Sequence, residues 1–153
     1  MDKLDPIDRR ILHHLQHNAD IHLDELGSQV GLSRNACWRR VKHLEASGII
    51  RGRVALLDPD RAGLPLTVFI MIRTDQHSRD WSDRFAKATQ GMDEILGVYR
   101  MTGDLDYLVK AQVSDVASYD AFYQRLIAKI DLSDVSASFV MERIKETTAL
   151  PML

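Results

Sequence analysis

Residues 32–48, LSRNACWRRVKHLEASG, are the segment that most constrains how this chain can fold. Ser33 is a favourable helix N-cap and Gly48 suits the position just past a helix end, so the pattern predicts one helix. At about 100° per residue, one stripe of this helix is apolar and consists of Cys37, Val41 and Leu44. The opposite stripe is polar and basic, and consists of Asn35, Arg39 and Lys42, with Trp38 at its edge. The helix is therefore expected to bury one side and to expose a basic side.

A shorter helix is predicted just before this one, at residues 23–30, and the turn Val30-Gly31-Leu32 joins the two. Two helices joined by such a turn are the arrangement in which a helix-turn-helix places its second helix in the DNA major groove. The alternative is an ordinary amphipathic surface helix with solvated charges. The preceding helix, the turn and the following strand pattern favour the DNA interpretation.

The charge distribution supports a local polyanion-binding surface. The whole chain carries a net charge of −2, which by itself does not indicate a nucleic-acid binder. Between residues 33 and 53, however, the sequence contains six basic residues and only one acidic residue, Glu45. They are Arg34, Arg39, Arg40, Lys42, Arg51 and Arg53. A basic patch on an acidic body can still steer DNA to one face.

Length and composition limit the remaining possibilities. The 153 residues allow one medium domain or two small ones. The longest apolar run, residues 68–72, is far too short to cross a bilayer, so no membrane partner is expected. The start MDKLDP has no signal core, and the single cysteine excludes an internal disulfide, so we expect a cytoplasmic protein.

The rest of the first third completes a small helical domain. A first helix is predicted at residues 6–17, with Asp5 as N-cap and Pro6 in the first turn. Gly27 inside the second helix indicates close approach of the third. Residues 50–56 alternate like a strand, with Arg51 and Arg53 on one face, and predict a wing or a connecting strand. The prolines and glycine of residues 58–65 predict a linker.

The second half alternates between strand and helix patterns. Strands are predicted at 66–74, 95–101, 107–113 and 135–143, and helices at 79–89 and 115–130. The last strand is expected to turn Val135, Ala137, Phe139 and Met141 inward. This order, β-α-β-β-α-β, is ferredoxin-like. The predicted fold class is α+β, with a winged helix-turn-helix at 1–57, a linker at 58–65 and a ferredoxin-like effector and oligomerisation domain at 66–153.

Three motifs in this order resemble the Lrp/AsnC family, the feast/famine regulators of bacteria and archaea. They are LDPIDRRIL, GLSRNACWRRVKHLEASGII and MTGDLDYLVKAQV. Gly27 departs from the family pattern, which usually has Ala there. The resemblance implies a sequence-specific DNA-binding transcriptional regulator of amino-acid metabolism. The Cys37-Trp38 pair, VALLDP at 54–59 and FVMERIKETTALP near the end are most similar to the branch that senses cysteine, which makes L-cysteine the first effector candidate.

Each residue of the basic surface has an expected role on DNA. Arg39 suits a bidentate contact to guanine and Asn35 one to adenine. Phosphate or backbone contacts are expected from Arg34, Arg40, Lys42, Arg51 and Arg53. The N–H groups at the Ser33 end of the helix also attract a phosphate. Trp38 either touches a sugar or a thymine methyl, or packs on the wing or a neighbouring subunit.

The hairpin sequence TGDLDY, residues 102–107, is the candidate effector site. Glycine and aspartate are ordinary turn residues, which is one interpretation. The other is that an aspartate pairs with a ligand ammonium while backbone N–H groups bind its carboxylate. The resemblance implies the second, because the family binds amino-acid effectors near this hairpin at contacts between subunits. The implied contacts are Gly103, Asp104, Asp106 and Tyr107, with Ser136 and Ser138 from the last strand.

Other functions and partners are weighed against this interpretation. No phosphate loop, metal-ligand cluster or nucleophile–base pair is recognisable, so no enzyme activity, cofactor or metal is expected. His13 and His17 have metal-ligand spacing, but no third ligand is apparent. The alternatives are an architectural, nucleoid-type DNA-binding protein and an amino-acid-metabolism enzyme with a ferredoxin-like ligand domain. Because one recognition helix reads few bases, a homodimer is expected, and the resemblance implies a tetramer or octamer.

Overall fold

The computed structural model describes residues 4–76 and 78–152. Residues 1–3, 77 and 153, which the predicted domains include, lie outside the described residues. The chain divides into two units, one made of residues 4–56 with 144–152 and the other of residues 57–143. The first unit contains α1 (Pro6–His17), α2 (Leu23–Val30) and α3 (Arg34–Ala46). The second contains β1 (Leu66–Arg73), α4 (Arg79–Gln90), β2 (Ile95–Arg100), β3 (Tyr107–Val113), α5 (Val116–Ile127) and β4 (Asp134–Phe139).

Local capping sets the ends of the helices in the first unit. The Asp5 carboxylate accepts the N–H of Asp8 and the Asp8 carboxylate accepts the N–H of Asp5, which closes a capping box at the start of α1. Ser33 Oγ accepts the N–H of Ala36 at 3.3 Å and caps α3. Gly31, at φ +74°, ends α2 in the left-handed conformation that glycine adopts without strain. These caps confirm the three predicted helices.

The core of the first unit holds α3 by its apolar stripe. The fully buried side chains include Cys37, Val41 and Leu44 of α3, which pack with Ile11, Leu12, Leu26 and Val30 of the other two helices. A Cβ on Gly27 would lie 2.8 Å from the carbonyl oxygen of Leu32 and 3.6 Å from the backbone nitrogen of Arg34. The close approach predicted at Gly27 is therefore made by the turn and the first residue of α3.

The second unit is a four-stranded antiparallel sheet with the strand order β2-β3-β1-β4. Alternate residues of β1, namely Val68, Ile70 and Ile72, are fully buried with the apolar faces of both helices. Trp81 and Phe85 come from α4, and Phe122 and Leu126 come from α5. The predicted ferredoxin-like order is confirmed. Among the described residues, no helix has the length and apolarity that a membrane span requires.

Three expectations about the connecting and terminal segments differ from the structure. Residues 50–56 are not a strand, because none of the strands in the described part of the chain pairs with them. β4 ends at Phe139. Ala137 and Phe139 face the helices as expected, since they pair with the buried Ile70 and Val68, but at the sheet edge they stay exposed, whereas Met141 lies beyond the strand and is 97% exposed. By their contacts, residues 144–152 group with the first unit, whereas the predicted domain at 66–153 includes them. The reason is physical, since Met152 packs beside the helical core and Leu150 is hydrogen-bonded to α1.

Candidate DNA-binding surface and effector site

The outward face of α3 has the composition that the sequence predicted. Cys37, Val41 and Leu44 are at most 3% exposed, whereas Asn35, Arg39 and Lys42 are exposed. Arg39 makes no hydrogen bond or ion pair with any residue that the structure describes. Its guanidinium is therefore available to a partner outside the chain.

Two other basic residues of this surface share one acid. Lys42 Nζ lies 2.7 Å from Glu45 Oε2, and Arg53 Nη2 lies 3.2 Å from Glu45 Oε1. The hydrogen bond from Lys42 and the nearby charge of Arg53 lower the pKa of Glu45, although desolvation opposes them. Arg53 Nη1 also donates to the carbonyl of Ala19 at 3.4 Å. These contacts fix the start of the segment after α3 beside the recognition helix.

The predicted phosphate contact of Arg40 is not supported, because Arg40 has partners inside the protein. Its Nη1 lies 2.6 Å from Asp5 Oδ2 and 2.8 Å from Asp8 Oδ1, and its side chain is 34% exposed. The pKa of Arg40 is raised chiefly by its hydrogen bond to Asp5, and then by the one to Asp8. Helix geometry alone placed Arg40 on the flank of the surface and could not show that α1 supplies two carboxylates there.

The remaining predicted DNA residues surround the exposed face of α3. Arg34 is exposed, with its Nε 3.7 Å from Asp24 Oδ2, and Ser33 lies at the exposed start of the helix. Arg51 is exposed and makes no ion pair with a described residue. Trp38 is 49% exposed and lines a small cavity of about 190 Å³ together with Leu23 and Arg53. It is thus beside the segment that follows α3 as well as beside the basic face.

In the second unit, the predicted effector aspartates have different surroundings. Asp106 Oδ2 accepts the N–H of Thr74 at 2.8 Å, and the Asp106 N–H donates to the carbonyl of Ile72 at 3.0 Å. One oxygen of the Asp106 carboxylate, for which a ligand contact was predicted, therefore fixes the end of β1. The Asp104 side chain is exposed, while its carbonyl accepts Arg73 Nε at 2.9 Å. Gly103, directly before Asp104, has φ +99° in the connection between β2 and β3.

The other predicted effector residues lie on opposite faces of the sheet. Tyr107 is paired with Ile72, whose side chain is buried under the helices, whereas Ser136 is paired with Met71 and Ser138 with Phe69. Strand alternation puts these two serines on the face away from the helices. Within one chain, Tyr107 and the serines consequently do not line the same pocket.

A cavity of about 550 Å³ lies on the helix side, between α4 and β2. Its lining includes Phe85, Met92, Val98, Arg100 and Tyr107. The Tyr107 ring packs against Phe85, with ring centres 4.8 Å apart. Sequence reasoning missed Arg100 and Phe85 here. The pairing of β2 with β3 sets Arg100 opposite Tyr107, so the register of the predicted hairpin is the signal that could have pointed to Arg100.

The described residues contain no cluster of three or more His, Cys, Asp or Glu side chains that could hold a metal ion. The rings of His13 and His17 are tilted by 47° with their centres 4.6 Å apart, and His17 Nδ1 lies 2.7 Å from the His13 carbonyl oxygen. Their contacts are those of neighbouring side chains on one helix.

A capped helix with an exposed basic face, joined to a separate α+β unit with its own cavity, defines a two-domain DNA-binding regulator. Residues 4–45 match the AsnC-type helix-turn-helix domain, and residues 67–150 match the Lrp/AsnC ligand binding domain. The chain belongs to the Lrp/AsnC family of transcriptional regulators. The resemblance seen in its three sequence motifs is thereby confirmed.

Individual relatives extend along nearly the whole chain. The glutamate uptake regulatory protein of Zymomonas mobilis is 48% identical over 150 residues, covering 98% of this chain and 92% of that protein. The DNA-binding transcriptional activator DecR of Escherichia coli is also 48% identical, covering 97% of this chain and 99% of that protein. A solved structure, the transcriptional regulator NMB0573 of Neisseria meningitidis in complex with L-Met, is 36% identical with a TM-score of 0.92. It covers 98% of this chain and 97% of that chain.

Proposed function

We propose that this chain binds specific DNA sites through the exposed face of α3 and that an amino-acid effector changes that binding. The DNA half of this proposal is carried by one observation: the guanidinium of Arg39, at the centre of a basic, capped helix, pairs with no residue that the structure describes. Arg39 reads guanine and Asn35 reads adenine through bidentate hydrogen bonds. Phosphates are bound by the surrounding group: Ser33 through the helix N-terminus, Arg34, Lys42, Arg51 and Arg53. Trp38 contacts a sugar or a thymine methyl at the edge of this face.

Two substitutions separate base reading from phosphate binding. An operator is first selected from a pool of random duplexes with the wild-type protein, and binding is then titrated at two salt concentrations. Arg39→Ala should weaken the binding free energy by about 1–3 kcal/mol on the operator and by much less on random DNA. Arg51→Ala should weaken both similarly and reduce the slope of log K against log salt by about 1. Equal losses on both DNAs for Arg39→Ala would remove its base-reading role.

The effector half of the proposal rests on the second unit. One relative regulates glutamate uptake and another was solved with L-Met, so amino acids are the ligand class. In our proposal, the exposed carboxylate of Asp104 binds the ligand ammonium, and the backbone around Gly103 binds the ligand carboxylate. Ser136 and Ser138 contribute from the sheet face of an adjoining subunit, and Tyr107 supports the hairpin from the helix side. L-cysteine is the first candidate.

Thermal melting against the twenty amino acids tests this site. A ligand at a hundredfold excess over its Kd stabilises the folded protein by about 2.7 kcal/mol, which raises the melting temperature clearly. Asp104→Asn should abolish the shift, whereas Asp120→Asn, on the exposed side of α5, should keep it. If no amino acid shifts the melting temperature, the ligand class is wrong. If a shift survives in Asp104→Asn, the class is right and the proposed contact is wrong.

We further propose that the protein works in the cytoplasm as a homodimer or a higher assembly, a tetramer or octamer. Support comes from exposed apolar side chains in two segments, including Leu56 at 72%, Leu57 at 77% and Met141 at 97%. β4 is also an edge strand, and on one side no strand of the described residues pairs with it. Paired recognition helices would read two half-sites about one helical turn apart. Light scattering should give at least twice the chain mass, and Leu56→Lys with Met141→Lys should lower it.

A further inference from the structure

The start of α1 is joined to the middle of α3 by an ion cluster of Asp5, Asp8 and Arg40. We propose that Arg40 is a positioning residue, which sets the rotation at which α3 presents Arg39 to the bases. This inference rests on the proposed DNA reading by α3, but it gives Arg40 no contact with DNA. It concerns how the recognition helix is held rather than what it touches.

The oxygens of the two carboxylates are divided between α1 and α3. Asp5 uses Oδ1 to accept the N–H of Asp8 and Oδ2 to accept Arg40. Asp8 uses Oδ2 for the N–H of Asp5 and Oδ1 for Arg40. The backbone at the start of α1 therefore fixes the direction of both carboxylates. Their free oxygens in turn fix the position of the guanidinium.

Arg40 is well placed for a positioning role because it directly follows the proposed base-reading residue. A helix turns by about 100° per residue, so holding Arg40 sideways against α1 fixes the direction of Arg39. The apolar stripe of Cys37, Val41 and Leu44 is non-directional and permits small rotations of the helix. The hydrogen bonds of Arg40 to two carboxylates are directional and remove that freedom.

The ion cluster is built to stay charged. The pKa of Asp5 is lowered, first by the backbone N–H of Asp8 and next by the hydrogen bond from Arg40. The side chain of Asp8 is 15% exposed and that of Arg40 is 34% exposed, so the pair is partly shielded from water and salt. Paired in this way, Arg40 contributes little to the field that attracts DNA phosphates.

The salt dependence of binding distinguishes a positioning residue from a phosphate contact. Arg40→Met should lower affinity for the selected operator several-fold, leave random-DNA affinity nearly unchanged and preserve the slope of log K against log salt. A phosphate contact would instead reduce that slope by about 0.9 and weaken both DNAs equally. Arg51→Met is the matched control for that second pattern. A reduced slope with equal losses for Arg40→Met overturns the inference.

Asp8→Asn tests the same cluster from α1, without removing a positive charge. The asparagine side-chain oxygen can still accept the N–H of Asp5, so α1 keeps its start, while the charge facing Arg40 is lost. We expect the operator preference to fall and the affinity for random DNA to be retained or to rise. The double variant Asp8→Asn with Arg40→Met should lose no more preference for the operator over random DNA than either single variant loses. An unchanged preference in a folded Asp8→Asn protein overturns the inference, even if Arg40→Met fails to fold.

If Arg39→Ala shows no base-specific loss, the proposed DNA reading has failed. If Arg39→Ala behaves as expected but Asp8→Asn and Arg40→Met keep full operator preference, only the positioning role has failed. The two failures are therefore distinguishable in the same titrations.

Discussion

The C-terminal residues are predicted to stabilise the DNA-binding unit to a measurable extent. The side-chain amide of Gln16 donates to the carbonyl of Leu150 at 3.1 Å and accepts its N–H at 2.6 Å. Two residues further on, Met152 is half-buried beside the helical core. Ending the chain after Thr148 removes all three contacts. Gln16→Ala removes only the two hydrogen bonds.

The magnitude follows from these contacts. Each hydrogen bond lies at the surface and is worth about 0.5 kcal/mol, the low end of the usual range. Half-burial of Met152 adds about 1 kcal/mol, since full burial of such a side chain is worth about 1.5–3 kcal/mol. The truncation should therefore cost about 2 kcal/mol. In a unit of this size that lowers the melting temperature by roughly 8–16 °C.

Tryptophan fluorescence can assign this loss to one unit. The chain has two tryptophans, Trp38 in the DNA-binding unit and Trp81 in the core of the second unit. In a Trp81→Phe background, the emission of Trp38 reports the unfolding of the DNA-binding unit. The truncation should shift that transition strongly and Gln16→Ala should shift it about half as far.

Gln29→Ala is the matched control for Gln16→Ala. Its amide reaches only Glu25, one turn earlier on the same helix, at 3.3 Å. Removing it should leave the transition almost unchanged. If the truncated protein melts together with the full chain, the tail contributes no stability and the reasoning is refuted.

Three further outcomes are expected. Because its N-cap hydrogen bond from Asp8 lowers the folded-state pKa of Asp5, this carboxylate stabilises the fold above its unfolded pKa. That stability is lost as pH falls through the lowered value. The destabilisation by Asp5→Asn, measured by urea unfolding, should therefore be full at pH 7 and should shrink as the pH is lowered below the ordinary carboxyl range. Burial raises the pKa of the Cys37 thiol, so mild peroxide should leave DNA binding unchanged. Phe122→Ala, at a fully buried site, should lower the free energy of unfolding by about 3–5 kcal/mol, measured through the emission of Trp81.

Elements with local start and stop signals were predictable from the sequence to the residue. α1 runs from Pro6 to His17 because the Asp5-Pro6 pair starts it, and α2 ends at Val30 because Gly31 supplies a left-handed turn. The strand at 107–113 also matched, since turn residues bound it on the hairpin side. In each of these cases the information lies within a few residues of the boundary.

Segments that depend on distant partners were not predictable in the same way. The alternating pattern at 50–56 specifies a strand only where another strand supplies hydrogen bonds, and none of the strands that the structure describes pairs with it. Met141 has the spacing of an inward residue, yet β4 has already ended at Phe139. The grouping of residues 144–152 with α1 depends on Gln16, more than a hundred positions earlier.

The same distinction applies to the side chains of the two sites. Helix periodicity correctly separated the exposed Arg39 from the buried Cys37, because Arg39 lies on the basic stripe of α3 and Cys37 lies on the apolar stripe opposite it. It could not decide Arg40 at the flank, whose partners Asp5 and Asp8 come from another helix. For Asp106, turn composition indicated the hairpin, but the bond to the Thr74 N–H depends on how β1 and β3 pair.

The path of the chain also limits how an effector could change DNA binding. Residues 57–143 form one continuous unit inserted between two pieces of the DNA-binding unit. A bound ligand can shift DNA affinity only if it favours one state of that unit over another. The chain gives such a shift two routes. One is covalent and runs through residues 51–57 to α3, and the other runs through residues 144–150 and the hydrogen bonds between Leu150 and Gln16 to α1. Since α1 also holds Arg40 through Asp5 and Asp8, both routes lead to the helix that carries Arg39.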